Sequence, residues 1–350
     1  MRVLQVVNTL DRGGAERLVI KLAEKLKEHG IESDILVLKR GSREYDSGDL
    51  EVISLDSESV YNVSNLFKIG EYMKNYNLVH VHLFPSFYWV ALSPGEKPPL
   101  VLTEHGTTNR RRSIKILKFL ERWIYSRYAK IVAVSESVER SLKEWLGDKL
   151  SDRITVIHNG VDLSEFKTFE RRTRVGKTKK LVMVANFSGH KDHITLVRAM
   201  EYLKNDAVLV LVGEGKGKES VENEVRRLRL EERVIFTGSV ENTFDILKDC
   251  DVYVHSVKDE GFGLAVLEAM AMGLPVVVSD LDSMRELVGD SGLYFRRGDP
   301  RFLADVLNDL LSDTKKLDEF AKRSVQRARV FDIDTTVREY KSLYEEVLRT

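Results

Sequence analysis

The sequence lacks the features that mark secreted, membrane-spanning and nucleic-acid-binding proteins. Its single cysteine, Cys250, excludes an internal disulfide and is typical of a reducing compartment. No apolar run approaches the length of a membrane-spanning helix, and the first eight residues indicate a β-strand rather than a signal peptide. The 55 basic and 55 acidic side chains cancel, which argues against nucleic acid as a partner. We therefore expect a cytoplasmic protein.

Strand patterns and amphipathic helix patterns alternate along the 350 residues. The clearest helix patterns are 15–29 and 114–129. The predicted strands are 3–7, 35–38, 78–81, 100–103, 131–134 and 155–157 in the first half, and 181–184, 208–212, 234–236, 252–255 and 275–279 in the second. Such alternation predicts parallel sheets covered by helices. The polar segment 167–180 has no apolar periodicity and is the predicted linker.

The predicted fold class is therefore α/β, with two Rossmann-like parallel-sheet domains that face each other across a cleft. Open parallel sheets bind ligands beyond the carboxyl ends of their strands. We expect the functional residues in the loops that follow those strands.

The most informative of these loops runs from Glu260 to Glu268, two carboxylates with seven residues between them. A buried-strand pattern precedes it and an apolar helix pattern follows at 263–272. The N–H groups and the dipole of a helix N-terminus favour phosphate, and Gly261 and Gly263 let the backbone come close to it. One to two helical turns place the carboxylates about 10 Å apart, which roughly matches the span from ribose to sugar in a nucleotide diphospho-sugar.

A strand-to-helix turn with a glutamate cap and a surface charge is the alternative. Glu268, however, is flanked by Leu267 and Ala269 in an otherwise apolar helix, where an idle charge would be costly. We therefore favour a functional pair whose carboxylates accept hydrogen bonds from ligand hydroxyls.

Other strand-end loops carry candidate residues. Gly13 and Gly14 follow the first strand without the Gly-x-Gly-x-x-Gly fingerprint, so a nicotinamide cofactor is disfavoured; a phosphate loop and a tight turn both fit. His105 follows the strand 100–103 and is well placed for a polar contact with substrate. Lys191 opens another helix and could reach a diphosphate, although a solvated lysine is the common alternative.

Two further patterns do not indicate a ligand site. His80 and His82 alternate along a strand without an evident third ligand, so we predict no metal site. The segment 213–218 lacks the spacing of a phosphate-binding loop and predicts a flexible surface loop.

Together these motifs resemble the retaining glycosyltransferases of the GT-B fold, group 1 (family 4), whose hallmark is a pair of glutamates separated by seven residues. The resemblance covers nearly the entire chain. Its motifs, in chain order, are Gly13-Gly14, Glu104-His105-Gly106, 134–137, 158–162, Lys191-Asp192, 236–240, 260–263, 268–271 and 273–276.

The resemblance implies an acceptor-binding domain at 1–166, a nucleotide-sugar-binding domain at 167–334 and a C-terminal helix at 335–350 that crosses back to the first domain. It implies a UDP- or GDP-sugar donor, a sugar or lipid-linked acceptor, and no cofactor or metal. Glu260 would contact hydroxyls of the donor sugar, and Glu268 would bind the ribose. The remaining implied contacts are Phe262, Gly263 and Leu264 with the phosphates, Val240 with the base, Lys191 with the leaving diphosphate, Gly13 and Gly14 with the donor from the opposite domain, and His105 with the sugar near its reacting carbon.

The resemblance implies that the anomeric configuration of the sugar is retained, because the acceptor attacks on the same face as the departing phosphate. An oxygen of the leaving phosphate would help to deprotonate the acceptor. The glutamates are then not a glycosidase acid/nucleophile pair. Electrostatic stabilisation of the leaving diphosphate would supply most of the catalysis.

One residue departs from the family pattern. The family usually has an arginine five residues before the lysine, and this sequence has Asn186. Losing that cation removes a charge-assisted hydrogen bond of about 1.5–3 kcal/mol, so donor phosphate binding is weakened or shifted to His190 or His193.

The segment 110–127 carries seven basic residues and one acid, with Phe119 and Trp123 among them. Ile114, Leu117, Leu120, Ile124 and Tyr128 follow helical spacing. A basic amphipathic helix suits the inner face of an anionic membrane, and hence a lipid-linked acceptor; a helix that covers the sheet with a solvated basic face fits equally. For Arg110, Arg111 and Arg112 we expect phosphate contact.

Two competing functions share some of these features. A sugar-nucleotide epimerase has the same two-domain fold, but the Glu260 and Glu268 pattern argues against it. A non-catalytic nucleotide-binding protein is supported only by Asn186.

Overall fold

The computed structural model describes residues 1–11, 13–42, 44–107, 110–114, 116–166, 178–240 and 242–349. The chain divides into two compact units, Met1–Asp162 with Asp332–Thr350, and Leu163–Phe331. The sequence predicted domain limits at 166/167 and 334/335, and these limits stay a prediction. Residues 167–177 of the expected linker lie outside the described residues.

The described part of the first unit contains a parallel sheet of seven strands. They are β1 (Arg2–Val7), β2 (Glu32–Val37), β3 (Val52–Ser54), β4 (Leu78–His82), β5 (Leu100–Glu104), β6 (Lys130–Ala133) and β7 (Ile154–Val156). Their order is β3-β2-β1-β4-β5-β6-β7, and every residue of the central β4 is buried. Strands that are buried on both faces of a parallel sheet are mostly apolar, and this makes them recognisable in the sequence.

The helices that connect these strands are α1 (Gly14–Glu28), α2 (Asn65–Met73), α3 (Ser86–Leu92), α4 (Leu117–Tyr125) and α5 (Glu136–Leu146). In α1, Leu18, Leu22 and Leu26 recur at helical spacing and are buried. Helix α5 begins where the Ser135 side chain accepts a hydrogen bond from the Val138 N–H, as expected of a serine N-cap.

The second unit repeats this architecture with a six-stranded parallel sheet in the residues described. Its strands are β8 (Lys179–Val184), β9 (Ala207–Val212), β10 (Val234–Gly238), β11 (Val252–His255), β12 (Val276–Ser279) and β13 (Leu293–Phe295). Its helices are α6 (His193–Ala199), α7 (Lys218–Arg227), α8 (Phe244–Leu247), α9 (Leu264–Ala271), α10 (Asp282–Val288), α11 (Pro300–Ser312) and α12 (Thr314–Ala328). The two parallel-sheet domains predicted from the alternation are confirmed.

The strand order of the second sheet, β10-β9-β8-β11-β12-β13, reverses direction between β8 and β11. Connections leave these two neighbouring strands towards opposite sides, which opens a crevice at their carboxyl ends. The loops that carry Lys191 and Glu260 begin at this point.

The final helix, α13 (Ile333–Arg349), belongs to the first unit. It packs against α1, and its Tyr340 and Tyr344 are buried. The Thr336 hydroxyl donates to the carbonyl of His158 at 2.9 Å. A Cβ on Gly160 would lie 2.7 Å from the Ile333 backbone, so only glycine permits this close approach.

Candidate active site

Two backbone hydrogen bonds join the loop after β8 to the loop after β11. The Asp192 N–H donates to the Ser256 carbonyl at 2.8 Å, and the Lys258 N–H donates to the His190 carbonyl at 2.8 Å. The two bonds flank Lys191 in one loop. They hold its side chain beside the other loop, where Glu260 lies.

The Glu260 carboxylate accepts hydrogen bonds from two side chains. One donor is the Lys191 ammonium group, and the other is Nε2 of His255 at 2.9 Å. Burial acts to raise the pKa of Glu260, but the Lys191 charge and the His255 hydrogen bond outweigh it and hold this pKa well below its usual range. Glu260 is therefore ionised throughout the physiological range.

The sequence analysis treated His255 only as part of a buried strand. Its ring is buried, and burial lowers its pKa against the opposing effect of Glu260. A neutral ring that donates from Nε2 orients the carboxylate and adds no charge. The signal that could have identified it is position, because His255 ends β11 just before a glycine-bearing loop, much as His105 follows β5.

Gly263 starts α9 in a left-handed conformation with φ +101°. A Cβ here would lie 2.7 Å from Cε of Met284, so both the backbone and the space require glycine. Leu264 follows as the first residue of α9, and the N–H groups and dipole of a helix N-terminus favour an anion. Phe262 is buried and packs edge-on against Phe331, with 5.5 Å between ring centroids.

Glu268 lies in the second turn of α9 and is buried, with 9% of its surface exposed. Burial, and to a smaller extent the charge of Glu268, raises the pKa of the Tyr253 hydroxyl. Val240 follows the carboxyl end of β10 and is partly exposed.

The surroundings of Asn186 decide which side chain could replace the missing arginine. Asn186 and His190 are both exposed. His193 is buried and stacked on Phe187 at 4.1 Å between ring centroids. Burial lowers the pKa of His193 to about 4, so this ring is neutral at pH 7 and supplies no cation. Of the two proposed replacements, His190 is the one in contact with solvent.

The segment 213–218, predicted to be a flexible surface loop, packs against the loop that follows β8. Gly213 and Gly215 have φ of +145° and +151°, and a Cβ at either would lie within 2.7 Å of the backbone of Ala185 or Phe187. The Phe187 N–H donates to the Glu214 carbonyl at 2.9 Å. The glycines therefore allow this loop to support the loop that leads to Lys191.

In the first unit, Gly13 is the N-cap of α1 and Gly14 is its first residue. A Cβ on Gly13 would lie 2.3 Å from Oε2 of Glu16, a residue to which the sequence analysis gave no role. Burial raises the pKa of Glu16 to about 7, partly opposed by a hydrogen bond from its own N–H. This turn therefore carries a carboxyl group that titrates near neutral pH.

His105 lies one residue beyond β5 and is partly buried. Its Nε2 is 3.2 Å from Nδ1 of His82. Burial lowers the pKa of His105 to about 4. Both ring nitrogens of His80 and of His82 have protein hydrogen-bond partners, so the alternating histidines contribute to the core rather than to a metal site.

The basic segment is tied into the first unit. The Arg111 guanidinium donates to the fully buried Glu121 at 2.6 Å and packs on the Phe84 ring. Arg112 donates to the Thr107 carbonyl at 2.7 Å. The side chain of Arg110 lies outside the described residues. Phosphate contact by the three arginines remains a proposal.

The apolar positions of the predicted helix 114–129 divide between core and solvent. Ile124 and Tyr128 are buried, whereas Ile114 and Leu120 are 50% and 44% exposed. Further exposed apolar side chains are Ile116 at 78%, Phe119 at 74% and Trp123 at 46%. None of the helices in the described ranges combines the length and apolar character that crossing a membrane requires.

Known protein families match both units of the chain. The family described as "Glycosyltransferase Family 4" matches residues 12–165, and the family described as "Glycosyl transferases group 1" matches residues 164–327. N-acetyl-alpha-D-glucosaminyl L-malate synthase of Bacillus anthracis is 27% identical, over 96% of this chain and 95% of that protein. Phosphatidyl-myo-inositol mannosyltransferase of Mycolicibacterium smegmatis is 26% identical, over 96% of this chain and 90% of that protein.

Solved structures show the same fold. HepE of Anabaena, in complex with UDP and glucose, superposes with a TM-score of 0.84 at 20% identity, covering 99% of each chain. A glycosyltransferase from Rickettsia africae also has a TM-score of 0.84, at 23% identity, covering 100% of this chain and 99% of that one. Three observations agree. The chain has two parallel-sheet α/β domains, and Glu260 is paired with Lys191 at the switch point of the second sheet. Family matches also extend along nearly the whole chain. The chain belongs to the group 1 glycosyltransferases of family 4 and has the GT-B fold.

Proposed function

We propose that this glycosyltransferase moves a sugar from a nucleotide diphospho-sugar to an acceptor, with retention of configuration and without a metal ion. The observation that carries the proposal is the Glu260 carboxylate, held ionised by Lys191 and His255 beside the N-terminus of α9. An ionised carboxylate accepts hydrogen bonds from sugar hydroxyls, and a helix N-terminus favours phosphate. A UDP-sugar donor is supported by HepE, which was solved with UDP-glucose.

The donor would lie along the loops of the second sheet. Glu260 binds the sugar hydroxyls, and Glu268 binds the ribose. Lys191 contributes one N–H to Glu260 and has two left for the diphosphate. The other proposed contacts are Phe262, Gly263 and Leu264 with the phosphates, Val240 with the base, and Gly13, Gly14 and His105 with the donor from the first unit.

In the proposed reaction the acceptor oxygen forms a bond to the anomeric carbon while the bond from that carbon to the diphosphate oxygen breaks. The acceptor proton moves to an oxygen of the leaving diphosphate, and Lys191 and the α9 N-terminus stabilise the developing charge. Lys191 and His255 donate hydrogen bonds to Glu260, lower its pKa and so stabilise the ionised carboxylate. Glu260 is therefore poorly suited as an acid or a nucleophile. This supports a mechanism without a protein nucleophile.

For the acceptor we propose a lipid-linked sugar or polysaccharide precursor, met at the inner face of the cell membrane by a protein that is otherwise cytoplasmic. The exposed apolar side chains of α4, with Arg127 against the Trp123 ring, support contact with an anionic bilayer. The mannosyltransferase relative is named for a lipid, phosphatidyl-myo-inositol.

A panel of UDP- and GDP-sugars tests the donor half of this proposal, with release of UDP or GDP measured in buffer containing EDTA. We expect one donor to release its nucleotide slowly by hydrolysis, and Glu260→Gln to reduce kcat/KM by about 10- to 100-fold through loss of a charge-assisted hydrogen bond. Asp305→Asn, which neutralises an exposed carboxylate on α11, is the matched control and should retain full activity.

The products distinguish the competing functions. Transfer to an acceptor with the donor's anomeric configuration supports retention, whereas the opposite configuration refutes it. Epimers of the sugar nucleotide without nucleotide release would identify an epimerase. Nucleotide binding without any turnover would identify a binding protein, and activity only with added Mg²⁺ would contradict metal independence.

A further inference from the structure

A buried chain of three side chains ends at His105. His82 Nδ1 lies 3.2 Å from His105 Nε2, and His82 Nε2 lies 3.0 Å from Oε1 of Gln5. Gln5 and His82 are fully buried. Burial lowers the pKa of both His82 and His105, so each ring is neutral and carries a single proton at pH 7.

A single proton on each ring fixes the direction of every hydrogen bond in this chain. The amide oxygen of Gln5 can only accept, so the proton of His82 is on Nε2. Nδ1 of His82 then has a lone pair and accepts. Nε2 of His105 must therefore be the donor, and Nδ1 of His105 carries no proton.

The direction of these hydrogen bonds follows from the orientation of the Gln5 amide, whose oxygen faces His82 and whose nitrogen faces Ser33. The amide nitrogen lies 3.4 Å from Oγ of Ser33.

We propose that His82, oriented by Gln5, is a positioning residue that fixes His105 in the Nε2–H tautomer and leaves its Nδ1 as a hydrogen-bond acceptor at the carboxyl end of β5. Within the described residues, His105 makes no other ring hydrogen bond. This inference rests on the proposed function in one respect, namely that the group facing Nδ1 is a sugar hydroxyl. His105 would select a hydroxyl that donates, and it would not act as a cation.

A second buried arm of the same cluster provides a matched control. His80 is hydrogen-bonded to Tyr344 and to Thr103, and Thr103 Oγ1 lies 2.9 Å from the Tyr340 hydroxyl. Tyr340→Phe removes a fully buried hydroxyl from this arm and leaves the contacts among Gln5, His82 and His105 in place.

The test is ¹⁵N NMR of histidine-labelled, full-length protein at pH 7.5 without ligand, with His105 assigned by loss of its signals in His105→Gln. Wild type should show a protonated, pyrrole-type Nε2 and an unprotonated, pyridine-type Nδ1 at His105. Gln5→Leu removes the acceptor that orients His82 and should give averaged shifts at His105. Tyr340→Phe should keep the wild-type shifts.

A protonated Nδ1 in the wild type would overturn the proposal, and so would an unchanged His105 tautomer in Gln5→Leu. If Gln5→Leu does not fold, His82→Phe provides the same test with the same two outcomes. The NMR result requires no turnover, so failure of the proposed transferase activity would leave it standing and would be recognised separately.

Discussion

At the scale of single residues, the proposed diphosphate subsite carries little net positive charge. The Lys191 ammonium group already neutralises Glu260, and the nearby His193 ring is neutral because burial lowers its pKa to about 4. Asn186 is exposed and adds no charge. The subsite should therefore hold a diphosphate less tightly than a site with a second cation.

The first prediction concerns this position. Asn186→Arg should tighten UDP binding by about 10-fold or more, because a charge-assisted hydrogen bond contributes about 1.5–3 kcal/mol. Isothermal titration calorimetry with UDP measures the change. Asn186→Gln, which lengthens the side chain without adding charge, should bind UDP like the wild type. Equal affinities for the arginine and glutamine variants would show that residue 186 does not contact the diphosphate.

At the scale of elements, helix α4 shows how a buried polar residue can set the orientation of a helix. Glu121 is fully buried and accepts hydrogen bonds from Arg111 at 2.6 Å, from Tyr88 at 2.9 Å and from Trp145 at 2.6 Å. Turning this side outward would break three hydrogen bonds to a charged group. The helix therefore keeps Glu121 inside and leaves Phe119 exposed.

The second prediction is that this exposed face binds anionic membranes. The combined variant Ile116→Thr, Phe119→Ser and Trp123→Ser should partition to phosphatidylglycerol vesicles at least about 10-fold more weakly than wild type in a sedimentation assay, because a buried large apolar side chain contributes about 1.5–3 kcal/mol. Ile235→Thr changes an exposed isoleucine in the second unit and should bind like wild type. Wild-type protein that stays in the supernatant would exclude the membrane contact.

The elements and the chemical identity of the site residues could be predicted from sequence, but their mutual contacts could not. Apolar runs predicted most strands because central parallel strands are buried on both faces, whereas the short edge strands β3 and β13 were missed. The pairing of Lys191 with Glu260 joins residues 69 positions apart and depends on two backbone hydrogen bonds between loops. His255 has a positional signal at the end of β11, but its hydrogen bond to Glu260 exists only in the folded chain.

At the scale of the whole molecule, buried neutral histidines couple stability to pH. Burial lowers the folded-state pKa of His80, His82, His105, His193 and His255. As the pH falls below about 6.5, these histidines take up protons in the unfolded chain before they do so in the folded one. Their stabilising contribution is complete above that pH and is lost as the pH falls through their lowered folded-state pKa values, which are about 4 for His105 and His193.

The third prediction is a decrease in the free energy of unfolding between pH 6.5 and pH 5, at up to roughly 1.4 kcal/mol per pH unit for each such histidine. Glu16 acts in the opposite direction, because its raised pKa of about 7 lets the folded state bind the extra proton. Glu16→Gln should therefore make the decrease steeper by about 1.4 kcal/mol per pH unit. Urea unfolding at several pH values measures both slopes, and stability that is constant or rises towards pH 5 would contradict the assignment.

The return of α13 to the first unit has a consequence for biogenesis. On the ribosome, residues 163–331 are made before residues 332–349, so the second unit can complete its fold while the first still lacks Tyr340 and Tyr344. During that interval His80 lacks its hydrogen-bond partner Tyr344, and Thr103 lacks its partner Tyr340. The buried core around His80 and Thr103 can therefore be completed only after residues 332–349 have been synthesised.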